Sequence, residues 1–156
     1  MATVEFSDMT PEGKKFMQQL KELADLEVCV GFQSGDGSYD DGASVMEVAA
    51  YNELGSSDTP PNPPPRPFMK QSFENHENEL QKACDNVNKT LANGGTAQQA
   101  LNKLGVFLKG LVQEEIVSGG FAPNAESTVK KKGSAQPLID TGLMRQSVNF
   151  VVRKRK

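Results

Sequence analysis

Tryptophan is absent, histidine occurs once, cysteine twice, and no apolar run approaches the roughly 18 residues a membrane span requires. Each shortage excludes something. A single histidine, His76, leaves a histidine-based triad or a paired-histidine metal site without its second member, and His76 is expected to be a solvated helix residue. Cys29 and Cys84 lie far apart with no further pair, so both are expected to be reduced, mostly buried thiols. The first residues, Met1 to Asp8, lack the basic and apolar regions of a signal peptide, and the expectation is a protein made and kept in a cytoplasm, without a membrane partner. Only 37% of residues are hydrophobic while glycine and proline number 14 and 9, which assigns a sizeable part of the chain to arm and loop.

Six of the nine prolines fall between Pro60 and Pro67. Proline fixes its own φ, removes a backbone donor and pushes the preceding residue to extended geometry, so this stretch can be neither helix nor central strand. It predicts a stiff, polyproline-like arm over residues 55–67. At about 3.1 Å per residue, Thr59 to Pro67 would reach roughly 25–30 Å. Two readings follow: an elbow folded back on its own domain, or a strap laid across a neighbouring subunit.

Charge is unevenly spread along the chain. Residues 1–60 carry twelve acids, Asp36, Asp40 and Asp41 among them, against three lysines, whereas residues 126–156 carry eight bases against Glu126 and Asp140. An acidic front and a basic back suit head-to-tail association of identical subunits. No aromatic residues are interleaved with the basic tail, which argues against sequence-specific nucleic-acid binding.

The pattern of elements is α+β. Thr10 and Pro11 open a helix to about Ala24, with Phe16, Leu20 and Leu23 on one face. Leu26 to Phe32 alternates as a strand. The acids between glycines at 35–42 miss the spacing of a calcium loop, and the glycines close on no phosphate cradle. Ala43 to Leu54 forms a short helix ended by Gly55, and Glu53, a possible catalytic carboxylate, lacks a partner base and is better read as a structural contact at the helix end.

A long helix is expected from Pro67 to about Ala92, broken by Asn93 to Gly95. A second runs from the capping Thr96 to Ser118, carried by Leu101, Leu104, Leu108, Leu111, Val112 and Ile116. Residues 119–136 are expected as an extended loop. Pro137 to Arg145 is expected as a turn into a short helical turn capped by Asp140 or Thr141, and Ser147 to Val152 as a strand pairing with the Val28 strand and with Thr3 to Phe6. The predicted architecture is a single domain over residues 1–156: a small antiparallel sheet packed against two long helices plus shorter helices, with an extended proline-rich arm.

Five stretches in this order, Val30 to Phe32, Val48 to Gly55, Pro64 to Met69, Ala100 to Gly105 and Pro137 to Val148, resemble the neck and tail-completion proteins of tailed bacteriophages. The arm here has more prolines than that family leads one to expect, and the C-terminal end is basic. The resemblance implies a non-enzymatic virion protein at the head–tail junction, assembled in the bacterial host cytoplasm as a ring of six copies and needing no cofactor or metal. Its neighbours would be head-completion or connector proteins and tail terminator or tail-tube proteins, with weak non-specific contact with passing DNA. A tail terminator capping the tube is the nearest alternative, and a DNA-contacting protein working through Lys130 to Lys132 and Arg153 to Lys156 a further one. The residues expected to face a neighbouring subunit or partner are Pro64, Pro65, Arg66, Pro67, Phe68, Asp40, Asp41, Leu138, Asp140, Thr141 and Arg145. Arg66 is assigned to an acidic neighbour such as Asp40 or Asp41, and Phe68 to an apolar anchor.

Overall fold

A computed structural model describes residues 8–57 and 63–156, which form seven helices and one two-stranded antiparallel sheet among the described residues. The chain divides into two compact units: residues 1–29, 78–107 and 151–156 make one, and residues 30–77 and 108–150 the other. Strands β1 (Leu26–Gly31) and β2 (Asn149–Lys154) pair as expected. The third strand expected at Thr3 to Phe6 lies outside the described residues, as do Pro60 and Pro61 of the arm.

The first unit is built on well-capped helix ends, one of them capped from another element. Helix α1 (Pro11–Asp25) starts where Thr10 Oγ1 accepts the Gly13 N–H at 3.2 Å, with Pro11 supplying a preset φ. Its Phe16, Leu20 and Leu23 pack on Val87 and Leu91 of α4 (Glu77–Ala92) and on Ala97 and Ala100 of α5 (Ala97–Ser118). Thr96 and Gln99 satisfy each other's backbone N–H, a capping box that opens α5. Gln19, polar and yet buried on α1, accepts the Ala97 N–H at 2.7 Å and so caps the same helix from another element.

Across β1 and β2, Arg153 Nε donates to Glu27 Oε1 at 2.8 Å. The Arg153 hydrogen bond, and then its charge, holds the Glu27 carboxyl below the ordinary carboxylate range. A depressed folded-state pKa contributes stability above the unfolded value, and that contribution is lost as pH falls through the folded one. The pair is exposed, so its effect on stability is small. The expected result is a carbon-detected NMR titration in which Glu27 has a low midpoint that returns to the ordinary range in Arg153→Ala; an unchanged midpoint would mean that the pair is not formed in solution.

The second unit gathers Val45 and Ala49 of α2 (Val45–Leu54), Phe68 of α3 (Phe68–Glu74), Val112 and Ile116 of α5, Leu138, Met144 of α7 (Leu143–Ser147) and Val148 into one core. Ser44 and Glu47 form a capping box at the start of α2. Helix α7 begins after Gly142, which takes φ 79°, and the Thr141 hydroxyl accepts the Leu143 N–H at 3.3 Å.

Four local expectations are corrected. The helix expected from Pro67 to Ala92 is two helices, separated at Asn75 and His76. Phe68 and Phe73 belong to the second unit's core while Val87 and Leu91 belong to the first, and the polar residues between them bond elsewhere: Asn75 Nδ2 to Glu115 Oε1 at 3.5 Å, and His76 Nδ1–H to the Ser72 carbonyl at 2.9 Å. His76 is therefore half-buried and held by its ring rather than solvated. The loop expected over 119–136 contains helix α6 (Glu126–Lys132), which buries no residue and so leaves no apolar period in the sequence. Its signals are electrostatic and conformational: an acid in the first turn, three lysines in the last, and Gly133 at φ 68° ending it. Cys84 is exposed on α4, where a buried thiol was expected, because its helix turns other residues to the core; Cys29 is half-buried, and both are free.

Candidate functional site

The arm is anchored before it is exposed. Gly55 ends α2 at φ 72°, and a Cβ there would stand 2.9 Å from the Pro65 nitrogen and 3.1 Å from the Pro63 carbonyl oxygen, so only glycine permits the returning chain to pass this close. The Ser56 N–H donates to the Pro63 carbonyl at 3.2 Å and the Arg66 N–H to the Asn52 carbonyl at 2.6 Å. Within the described part of the arm, residues 55–57 and 63–67, the returning segment 63–67 thus folds back on the end of α2.

Arg66 and Phe68 correct the roles given them from sequence. Arg66 is 7% exposed, and its guanidinium donates from Nε to the Ala122 carbonyl at 2.9 Å, from Nη2 to the Pro123 carbonyl at 3.2 Å and from Nη1 to Asn52 Oδ1 at 3.3 Å. Burial lowers its pKa from the ordinary value, and neutral carbonyl dipoles stand where an acidic partner was expected. Phe68 is fully buried, its ring edge-to-face with Phe32 at 6.1 Å between centroids. Both side chains hold their own unit together. Pro67 is half-buried, whereas Pro64 and Pro65 remain exposed and available to a partner.

Glu53 has the structural role expected of it. Its Oε2 accepts the Met69 N–H at 2.8 Å and its Oε1 the Lys70 N–H at 3.1 Å, capping α3, whose own N-cap residue, Pro67, offers no side-chain acceptor. Glu53→Ala leaves both donors without this acceptor and is expected to cost about 1–2 kcal/mol in urea unfolding, with Glu53→Gln losing less. No loss in either variant would mean that solvent serves the two N–H groups equally well.

Five of the remaining expected interface residues converge on one open groove of about 570 Å³ in the second unit: Asp40, Asp41, Leu138, Asp140 and Thr141. Tyr39, Lys131 and Lys132 share its wall. Lys132 Nζ stands 3.9 Å from Asp140 Oδ2, and Asp41 Oδ1 accepts the Ala43 N–H at 3.0 Å. Burial first, then the nearby Asp140 and Asp41 charges, pushes the Tyr39 phenol up, so it stays a neutral hydroxyl at physiological pH. Leu138 itself is buried in the core. Arg145 does not line this groove; it lies on α7, exposed, and its carbonyl accepts from Gln113 Nε2 at 3.0 Å. Front acids and back lysines thus line the same groove, although its ion pair, Lys132–Asp140, joins two residues of the back; an acid of the front joins a base of the back in the Glu27–Arg153 pair. Among the described residues, no cluster of histidine, cysteine and carboxylate side chains has the geometry to hold a metal ion.

The surface that sequence reasoning missed is the outer face of α2. Val45, Val48, Ala49 and Asn52 turn inward, as expected, but Met46, Tyr51 and Leu54 are exposed at 46%, 62% and 77%, with Ala50 also in solvent. Met46, Ala50 and Leu54 recur every fourth residue and so form one stripe, with Tyr51 beside it. The signal was present in the composition of the segment, which is apolar on both faces; a helix of that kind ordinarily has both faces covered. Compared with protein-family models, with curated proteins and with solved structures, the chain has no match.

Proposed function

We propose that this chain is a structural subunit of a tailed-bacteriophage virion, acting at the head–tail junction as a ring of identical copies that completes the tail or joins it to the head. The five ordered stretches that resemble neck and tail-completion proteins support the class. The observation that carries an assembling role is α2: scattered exposed apolar residues are normal, but Met46, Tyr51 and Leu54 on one short helix make a patch that association would cover. Pro64 and Pro65 lie exposed just beyond the end of that helix, their approach fixed by Gly55 and Arg66, and preset φ angles lower the entropy lost when such an arm is ordered by a neighbour. The carboxylate best placed in sequence for catalysis, Glu53, is occupied in capping a helix.

Contact with passing DNA is a secondary role favoured by the exposed Lys130 and Lys131 at the end of α6 and by Lys154, Arg155 and Lys156. Such contact would be weak, non-specific and steeply salt-dependent. Gold-labelled antibody against the chain, applied to purified virions, tests the placement. Label at the junction between head and tail is expected; particles that carry no label, or carry it on the capsid shell or tail tip, would contradict it.

A further inference from the structure

We propose that the exposed face of α2 in one copy seats in the groove between α4 and α5 of a second copy. The inference rests on the reading of the chain as a self-assembling subunit and names the two surfaces that would meet. The groove lies wholly within the first unit and measures about 690 Å³. Its apolar floor is made by Ala83, Leu104 and Phe107 over the buried Val87 and Ala100, and the small side chain at 83 lets another helix approach closely. Lys82, Lys89 and Lys103 stand on its walls, against the single acid Glu79.

The face of α2 has the opposite character. It offers Met46, Ala50 and Leu54 as anchors every fourth residue with Tyr51 alongside, the spacing by which a helix enters an apolar groove. Helix α2 carries no base; of its two acids, Glu53 is taken up in capping α3, and Glu47, whose Oε2 accepts from Ser44 in the capping box, lies exposed among the apolar residues of that face. An apolar, acid-bearing helix and an apolar, lysine-walled groove complement each other. Neither complements itself: two α2 faces would bring Glu47 against Glu47, and two grooves would bring lysine against lysine. The contact is therefore heterologous, each copy giving its α2 and receiving another, which is the kind of interface that builds rings when it closes and filaments when it does not.

Sedimentation velocity on the full chain tests this with two single variants and their mixture. Leu54→Glu and Lys103→Glu both change exposed residues, so each should keep the wild-type circular dichroism spectrum. The wild type is expected to form oligomers, and each variant alone to sediment as a monomer: Leu54→Glu would bury a carboxylate on the apolar floor where the leucine anchor sits, and Lys103→Glu would set a carboxylate against Glu47. An equimolar mixture should form dimers and nothing larger, because the intact α2 of the Lys103→Glu chain can enter the intact groove of the Leu54→Glu chain, while the reverse contact sets Glu against Glu. Variants that assemble like the wild type would overturn this pairing and leave the assembling role standing on some other surface. A mixture that stays monomeric at concentrations where the wild type assembles would also overturn it. A wild type that is monomeric throughout would overturn the pairing together with the self-assembly it rests on, leaving the stripe and the groove to unlike partners.

Discussion

Phe68→Ala is expected to destabilise the second unit by about 3–5 kcal/mol, a large part of the roughly 5–15 kcal/mol that separates a folded domain from its unfolded chain. The ring is fully buried, sits among Val45, Val112, Met144 and Val148, and meets Phe32 edge-to-face. Its truncation removes an aromatic side chain's worth of contact and opens a cavity whose walls belong to α2, α5 and α7, which cannot all close on it. Hydrogen exchange is the appropriate measurement, because the chain has two compact units and a single unfolding midpoint could average them. Amides of Val112 and Ile116 should lose protection, while those of Val87 and Leu91, in the first unit's core, should lose little. If Phe68 were instead an anchor in a neighbouring subunit, the isolated chain would keep its protection and only its assembly would suffer.

Arg66→Met is expected to cost about 2–4 kcal/mol. Methionine fills much of the space of the arginine stem, so the loss isolates the three hydrogen bonds to Ala122, Pro123 and Asn52. Those carbonyls lose their donor within a partly dry environment, and the segment holding Ala122 and Pro123 loses its tie to the arm. Arg66→Lys should recover only part of the loss, since a single ammonium cannot reach three acceptors arranged for a planar fork. Urea unfolding followed by circular dichroism reads the cost, and NMR shifts at Ala122 should report the freed segment. A midpoint equal to wild type, accompanied by altered oligomer size, would return Arg66 to the role of a contact between subunits.

The parts of this fold that were legible in sequence are those whose causes are local. Thr10 followed by Pro11 and Glu12 is a local helix-start signal, Gly55 ends α2 through its own backbone freedom, and α5 announces itself by apolar residues at three and four. What was not legible depends on partners far along the chain. Arg66 finds carbonyls 56 and 57 residues away, and Gln19 caps a helix 78 residues on. An arginine in a proline arm and a glutamine in an amphipathic helix both look like solvated residues until tertiary structure supplies their acceptors and donors. The groove that unites Asp40 and Asp41 with Asp140 and Thr141 is of the same kind, since each pair read separately is only a polar turn. The outer face of α2 was missed for a different reason. Its inward residues satisfied the expected helix, and its remaining apolar residues carry meaning only once their exposure is known.

The proposed role at the joint between phage head and tail is tested most directly by electron microscopy of a lysate from a phage or prophage lacking this gene. Filled heads lying beside separate tails of normal length are the predicted result. Tails of uncontrolled length would move the role to capping the tube, and intact infectious particles would contradict the account.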